Sequence, residues 1–168
     1  RFFEFLDQRT FGGMQICDRD QDGLPVAVSR IARDPFDPLF DVDRFFEMLR
    51  KRSIEVKKGL LDQHLISGIG NIYADECLWR VGLDGRTPCN RLDRSTAMEI
   101  VTTVTRVMRE AFDVGGTSFD ALYVNVNGES GYFSRSLAVY GREGRPCDRC
   151  GDPITRSKFM NRSSFHCT

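Results

Sequence analysis

The segment Cys147-Asp-Arg-Cys150, followed after sixteen further residues by Cys167, decides how the C-terminal part of this chain folds. Two thiolates with C-x-x-C spacing supply half of a tetrahedral zinc site. The other half of a zinc ribbon is a second such pair about 15–20 residues later, and Cys167 opens it at the expected distance. The spacing therefore predicts a zinc-binding hairpin. Because its fourth thiolate would follow Thr168, we expect that the sequence is incomplete at this end.

The composition of the chain is that of an ordinary globular protein. Of its 168 residues, 40% are hydrophobic and 29% are charged, which fits one domain or two small ones. No apolar run approaches the roughly 18–20 residues of a membrane span, and no signal peptide is visible. The remaining cysteines, Cys17, Cys77 and Cys89, share no spacing. We therefore expect a monomer in the reducing cytoplasm, with no membrane partner.

The charges are unevenly distributed although the net charge is zero. Residues 1–50 carry seven basic and ten acidic groups, whereas residues 133–168 carry seven basic and three acidic groups. The predicted zinc segment is thus a basic module, as expected for contact with nucleic-acid phosphates. Twenty of the 24 basic residues are arginine. Arginine suits bidentate phosphate contact, although a GC-rich genome gives the same bias.

Hydrophobic periodicity and turn residues divide the chain into three predicted domains, which together make an α+β fold. Residues 1–33 read as short strands at the end of a β domain, and Arg1 runs directly into a strand-like segment, so we expect a trimmed N-terminus. Residues 34–132 begin with the proline-containing linker Asp34-Pro-Phe-Asp-Pro38 and then have helical periodicity, with helices predicted at about 41–52, 53–65, 71–81 and 94–114. Residues 133–168 form the predicted zinc hairpin.

The glycine-rich turn Gly68-Ile-Gly70-Asn71 lies between two predicted helices. Glycines let the backbone approach a ligand closely, and the free amides at a helix N-terminus attract anions. Asn71 could cap the helix or donate its amide to a phosphate, and Lys57 could reach the same anion. The alternative is a plain helix connection. A dinucleotide-binding fingerprint is excluded because a helix, rather than a strand, precedes the glycines.

Several segments in a fixed order together resemble the formamidopyrimidine-DNA glycosylase branch of the Fpg/Nei family. The resemblance covers essentially the whole chain. The segments that carry it, besides the cysteine ribbon, are Asp7-Gln-Arg-Thr-Phe-Gly-Gly13, Leu60-Leu-Asp-Gln63, Ser67-Gly-Ile-Gly-Asn-Ile-Tyr-Ala-Asp-Glu76, Gly115-Gly-Thr117, Gly131-Tyr-Phe133 and Val139-Tyr-Gly-Arg-Glu-Gly144.

The resemblance implies base-excision repair of duplex DNA. Members of the family flip an oxidised purine, such as 8-oxoguanine or a formamidopyrimidine, out of the helix. An N-terminal proline amine then attacks the sugar C1′, a neighbouring glutamate supplies acid catalysis, and β- and δ-elimination cut the strand. That proline, that glutamate and a hairpin lysine belong to the first part of the family's β-sandwich, and none of them is in this sequence. The lysines that are present show no evident apolar pocket, so we expect this chain to be inactive alone.

The resemblance also assigns DNA-contacting roles outside the helical domain. Arg9 and Phe11 match the residues that enter the gap left by the flipped base, where arginine faces the orphaned cytosine and phenylalanine wedges the stack. From the pattern alone, Arg9 would be a surface strand residue and Phe11 a core aromatic residue. Residues 119–132 match the loop that covers the flipped base.

Within the helical domain and the hairpin, Arg52, Lys57, Gly70 and Asn71 match the phosphate-binding positions of the helix–two-turn–helix motif. Arg162, in Asn161-Arg-Ser-Ser-Phe165, matches the zinc-finger arginine that grips phosphates near the lesion and is implicated as the proton donor in δ-elimination. Without the resemblance, Arg162 would be read as a solvated hairpin residue.

Three further titratable side chains near these motifs are poor candidates for chemistry. His166 stands where the family usually has an aromatic residue, and a Cys3His site that uses it would require adjacent ligands, which rarely reach one tetrahedral ion. Asp75 and Glu76 are neighbours on a predicted helix and point to different faces, so they make a poor acid–base pair.

Three functions remain open from the sequence. The first is a glycosylase and lyase of this family whose catalytic N-terminus is absent from the sequence. The second is a truncated paralogue that binds damaged DNA without catalysis. The third is a zinc-ribbon module for protein or RNA, which the helical domain disfavours because a bare ribbon would not need it.

Overall fold

In a computed structural model of the protein, the residues whose structure is described are 12–115 and 136–167. The chain divides into two compact units, Arg1–Arg30 and Ile31–Thr168. The predictions for Arg9, Phe11 and the loop 119–132 lie outside the described residues, and so does the ligand expected after Thr168.

The described part of the first unit contains turns where strands were predicted at 14–17 and 25–31. The Asp20 carboxylate accepts a hydrogen bond from the backbone N–H of Leu24 at 2.8 Å, and Val26–Val28 form a single 3-10 turn. A strand needs a partner for its backbone groups, and within residues 12–30 such pairing is limited to one isolated bridge. The prediction of these two strands is therefore wrong, because local turns satisfy this part of the backbone.

The second unit contains the four helices that the sequence predicts. In chain order they are α1 (Val42–Leu49), α2 (Val56–Leu60), α3 (Asn71–Val81) and α4 (Arg94–Asp113). Asp41 caps α1 by accepting a hydrogen bond from the backbone N–H of Arg44 at 2.9 Å. Asp93 caps α4 by accepting one from Thr96 at 2.7 Å. Such caps satisfy donors that have no partner within the helix.

Helix α2 is shorter than the helix predicted at 53–65. The carbonyl of Ile54 accepts a hydrogen bond from the backbone N–H of Cys89 at 2.8 Å, and the N–H of Val56 donates to the carbonyl of Thr87 at 2.8 Å. The chain before α2 therefore pairs with a distant segment instead of starting a helical turn. After α2 the backbone forms turns that lead to the glycine-rich connection.

The helices enclose one apolar core. Fully buried members of this core include Phe45, Leu49, Leu60, Ile66, Ile69, Ile100 and Val104. A Cβ at Gly59 would lie 3.0 Å from both Leu49 Cδ1 and Cys89 Sγ, so a side chain there would force these buried neighbours to move. Across the described ranges, no helix is long and apolar enough to cross a membrane.

A two-stranded antiparallel hairpin ends the described part of the chain. Its strands are β1 (Thr155–Phe159) and β2 (Arg162–His166), and Phe159 pairs with Arg162. The connecting residue Met160 has a φ of 53°, as expected for the tight turns that match the twist of a hairpin. The predicted α+β architecture, a helical domain followed by a hairpin beside the cysteine cluster, is therefore confirmed.

Glu76 ties the segment that precedes the hairpin to α3. Its side chain is completely buried, and its carboxylate accepts hydrogen bonds from the backbone N–H groups of Ala138, Val139 and Tyr140 at 2.9, 2.9 and 3.0 Å. A buried carboxylate is costly unless it is hydrogen-bonded, and here three donors converge on it. This contact determines where the chain meets α3 before it enters the cysteine-containing segment.

We expect Glu76→Gln to destabilise the fold strongly. The amide keeps one acceptor oxygen but places an NH2 group against N–H donors, and each buried donor left unpaired costs about 1–3 kcal/mol. Urea unfolding should show the loss. The control is Glu110→Gln, which removes a carboxylate that pairs with Arg80 at 2.7 Å and is 44% exposed, and which should cost less than about 1 kcal/mol. Equal losses in the two variants would contradict the role given to Glu76.

Candidate nucleic-acid interface and metal centre

The predicted metal ligands lie together. The sulfurs of Cys147, Cys150 and Cys167 are all within 4.8 Å of one another. Zn–S bonds of about 2.3 Å place the ligands of a tetrahedral ion about 3.8 Å apart, so the spacing and the thiolate chemistry fit zinc. His166 is outside this group, and its Nε2 lies 3.3 Å from the Ser157 hydroxyl on the neighbouring strand. Three cysteines, without the histidine, form the cluster among the described residues.

The surroundings of the cluster favour a thiolate at Cys147. Hydrogen bonds from the backbone N–H of Arg149 at 3.5 Å, and then from the Trp79 indole at 3.3 Å, lower the pKa of Cys147 to about 6. The hydrogen bond between Cys167 and Cys150, whose sulfurs are 3.1 Å apart, raises the pKa of Cys167 to about 12. Because the thiolate is the form that binds metal, these hydrogen bonds favour the metal-binding form of Cys147.

The hairpin docks on one edge of α3. The side-chain amide of Asn71 donates to the backbone carbonyl of Ser163 at 2.8 Å. One turn later, Asp75 accepts hydrogen bonds from the Ser164 hydroxyl at 3.1 Å and the Phe165 backbone N–H at 2.9 Å. Residues four apart share a face of a helix, so these contacts clamp three consecutive residues of β2.

This clamp brings two predicted DNA-contacting residues together. Arg162, which immediately precedes the clamped residues, is exposed. It lines one concave surface with Asn71 and Arg156. Arg156 is held there by a 2.9 Å hydrogen bond from its Nε to the Ser163 hydroxyl. The N-terminus of α3 and an arginine of the hairpin therefore form a continuous surface.

Asn71 and Gly70 have roles that differ in detail from those predicted. The N-cap of α3 is Gly70, and Asn71 is the first helical residue, so Asn71 does not cap this helix. Gly68, with a φ of 81°, is the glycine that the backbone conformation requires. Gly70 has ordinary dihedral angles, and a Cβ there would meet nothing within 4 Å among the described residues. Gly70 thus leaves the start of α3 open.

Lys57 is an internal residue in this structure. Its side chain is 1% exposed, its Nζ lies 2.6 Å from Asp75 Oδ1, and the same ammonium lies 4.5 Å from the centre of the Phe159 ring. Burial lowers the pKa of Lys57 and raises the pKa of Asp75, while each partner opposes the shift of the other. The expectation that the lysines lack an apolar pocket is therefore wrong for Lys57. Its amine faces Asp75 instead of the exposed surface that a phosphate contact requires.

Arg52 is also engaged within the fold. Its guanidinium pairs with the carboxylate of Asp62, and the arginine side chain is 33% exposed. This ion pair joins the end of α1 to the turn after α2. The partner of Arg52 therefore differs from those of Asn71 and Arg162, which meet at the start of α3.

The sequence analysis missed the structural importance of Asp75, Glu76 and Trp79. All three lie on α3, and each contacts a segment that is distant in sequence. The signal available was the spacing of Asn71, Asp75 and Trp79 by four residues, which places a polar and aromatic edge on a helix whose other residues are mostly apolar. The prediction that Asp75 and Glu76 point to different faces agrees with their separate partners.

Comparison with known proteins identifies the relatives of this chain. Residues 31–122 match the family model described as the formamidopyrimidine-DNA glycosylase H2TH domain. The formamidopyrimidine-DNA glycosylase of Streptomyces coelicolor is 57% identical over 163 residues, which is 97% of this chain and 57% of that protein. The Rhodococcus jostii protein of the same name is 57% identical over 166 residues, with 97% and 57% covered. The chain thus spans somewhat more than half the length of these relatives.

Solved structures show the same relationship. The crystal structure of the MutM (Fpg) protein from Thermus thermophilus aligns with a TM-score of 0.76 at 35% identity, covering 82% of this chain and 52% of that one. Lactococcus lactis Fpg in complex with DNA that contains an abasic site aligns with a TM-score of 0.74 at 33% identity, covering 82% and 49%. By its matched domain, its sequence identity and its fold, this chain belongs to the formamidopyrimidine-DNA glycosylase family.

Proposed function

We propose that this chain supplies the DNA-binding part of a base-excision repair enzyme, a DNA glycosylase with AP-lyase activity that removes 8-oxoguanine and formamidopyrimidines from double-stranded DNA. The observation that carries the proposal is the docking of β2 on α3, which joins the start of α3 and Arg162 in one concave surface. Solved structures of Lactococcus lactis Fpg that contain abasic-site or Fapy-dG DNA support it. The protein would act as a monomer in the bacterial cytoplasm, on DNA of the nucleoid.

Arg162 is the best-placed phosphate contact in this proposal. It is exposed and has no acidic partner among the residues described, whereas Arg52 pairs with Asp62 and Arg156 lies 3.5 Å from Glu143. A free guanidinium offers a planar set of donors that matches phosphate oxygens. In the family's reaction the same arginine would donate the proton in δ-elimination.

The start of α3 would approach the DNA backbone beside Arg162. Gly70 leaves this end of the helix open, and the first amides of a helix attract phosphate. Arg9 and Phe11 would enter the gap left by the flipped base, and residues 119–132 would cover that base. Lys57 is buried and would contribute indirectly, by holding the Asp75 carboxylate where it binds β2.

One structural zinc ion would be held by Cys147, Cys150 and Cys167. Metal binding supplies folding free energy to small domains of this kind, and β1 and β2 form a sheet of only two strands. The ion would therefore stabilise the hairpin that presents Arg162 and would take no part in the chemistry.

The catalytic amine of the family has no counterpart in this sequence. Covalent attack on C1′ needs an amine of depressed pKa that faces the flipped sugar. Burial does lower the pKa of Lys57, but its side chain is 1% exposed and its amine is paired with Asp75. We therefore favour a DNA-binding chain that is inactive by itself. The alternative is a truncated paralogue that binds damaged DNA and never cuts it.

Replacing Arg162 by alanine should weaken binding to an abasic-site duplex and flatten its salt dependence. Loss of one phosphate contact lowers the slope of log K against log salt by about 0.9. Fluorescence anisotropy between low and moderate salt measures this slope. The control is Arg86→Ala, since Arg86 is exposed but bound to Asp84 at 2.8 Å in a different surface. An unchanged slope in the Arg162 variant would exclude the proposed contact.

Elemental analysis of the purified protein should find one zinc ion per chain. Cys147→Ser should lower this content sharply, because it removes one of the three sulfurs of the cluster, the one that accepts hydrogen bonds from Trp79 and Arg149. Cys17→Ser is the control, since Cys17 lies in the other unit of the chain and outside the cluster. A metal-free wild-type protein purified in zinc-containing medium would count against the site.

Borohydride should trap no Schiff base between this chain and a duplex that contains 8-oxoguanine. The same chain, extended upstream with the family's Pro-Glu start and β-sandwich, should both form the adduct and cut the strand. The upstream coding sequence separates the two functions, because a Met-Pro-Glu-Leu start would identify the catalytic N-terminus that a non-catalytic paralogue lacks. A trapped adduct with the unextended chain would instead make one of its lysines the nucleophile.

A further inference from the structure

Trp79 is the only tryptophan of the chain and lies next to the cysteine cluster. It occupies the last turn of α3, where its ring packs against a small buried cluster that includes Val139 and Ile154. The indole Nε1–H donates to the sulfur of Cys147 at 3.3 Å. The indole N–H is partly buried and so needs an acceptor of its own, and here that acceptor is the sulfur of a proposed metal ligand.

The position of Trp79 on α3 connects this hydrogen bond to the docking of the hairpin. Asn71, Asp75 and Trp79 are spaced by four residues and so follow one edge of the helix. The first two hold the backbone of β2, and the third holds the sulfur of Cys147. Strand β2, which begins with Arg162, and the first cysteine of the cluster are therefore attached to the same edge of one helix.

We propose that Trp79 is a positioning residue for the metal centre. Its N–H orients the Cys147 sulfur for the ion and couples metal binding to the docking of the hairpin on α3. The inference rests on the zinc site of the proposed function. An indole is a donor only, so it cannot compete with the cysteine for the metal. Partners outside the ligand shell fix the orientation of ligands, and their loss costs about 10–100-fold in metal affinity.

The test is the zinc affinity of Trp79→Phe, measured by competition with a chromophoric chelator. Phenylalanine keeps an aromatic ring but lacks the N–H donor. We expect zinc to bind at least about 10-fold more weakly than to the wild type. The control is Arg86→Met, which removes an exposed guanidinium that pairs with Asp84 at 2.8 Å and lies outside the cysteine cluster. Its zinc affinity should stay within about twofold of the wild type, since no donor to a ligand sulfur is lost.

A second measurement uses the wild-type protein and so does not depend on the folding of a variant. With one tryptophan, an NMR spectrum of the 15N-labelled protein contains a single indole N–H resonance. In the zinc-loaded protein this proton should exchange slowly with water, and its resonance should shift when a chelator removes the ion. A rapidly exchanging proton that ignores the metal would overturn the proposal.

The outcomes separate this inference from the proposed function. Equal zinc affinity of the wild type and the Trp79→Phe variant refutes the role of Trp79 and leaves the metal site intact. Absence of zinc binding in the wild type refutes the metal site itself. Since DNA takes no part in either measurement, a failure of the DNA-repair proposal leaves both results unaffected.

Discussion

Two adjacent buried carboxylates on α3 provide the constraint on which the rest of this structure depends. Asp75 accepts hydrogen bonds from β2 and pairs with Lys57, while Glu76 accepts three from the segment 138–140. Consecutive residues of an α-helix point about 100° apart, so one dipeptide holds two segments on different sides of the helix. A buried carboxylate without such partners would be very costly. The partners must therefore assemble around α3 for either charge to be tolerated.

The candidate interface and the metal centre both follow from this arrangement. The clamp on β2 places Arg162 beside the open start of α3, and the same helix edge ends at the hydrogen bond to Cys147. The residues proposed for DNA contact and those proposed for metal binding are thus both attached to a single helix. The basic side chains of the hairpin are held in a fixed position because the hairpin packs on α3, a helix that belongs to the apolar core.

Features that depend on neighbouring residues could be predicted from the sequence, whereas features that depend on residues distant in the chain could not. Helix α3 was predicted at its observed bounds because glycines stand on both sides of it, and the cysteine cluster followed from spacing alone. The predicted helix 53–65 was too long because its first residues pair with 87–89. The burial of Lys57 was missed because its partner Asp75 lies eighteen residues away on another helix, and periodicity carries no information about such a pair.

The contacts between α3 and the hairpin also bear on the order in which the protein assembles. They join residues that are 89, 90 and 92 positions apart in the chain. Bringing residues so far apart in the chain together costs loop-closure entropy before the contact between them can stabilise the fold. Helices α3 and α4 are close in sequence and pack on each other, so they would form an early nucleus. The hairpin would dock late, and a nascent chain would carry Asp75 and Glu76 exposed to water until that step.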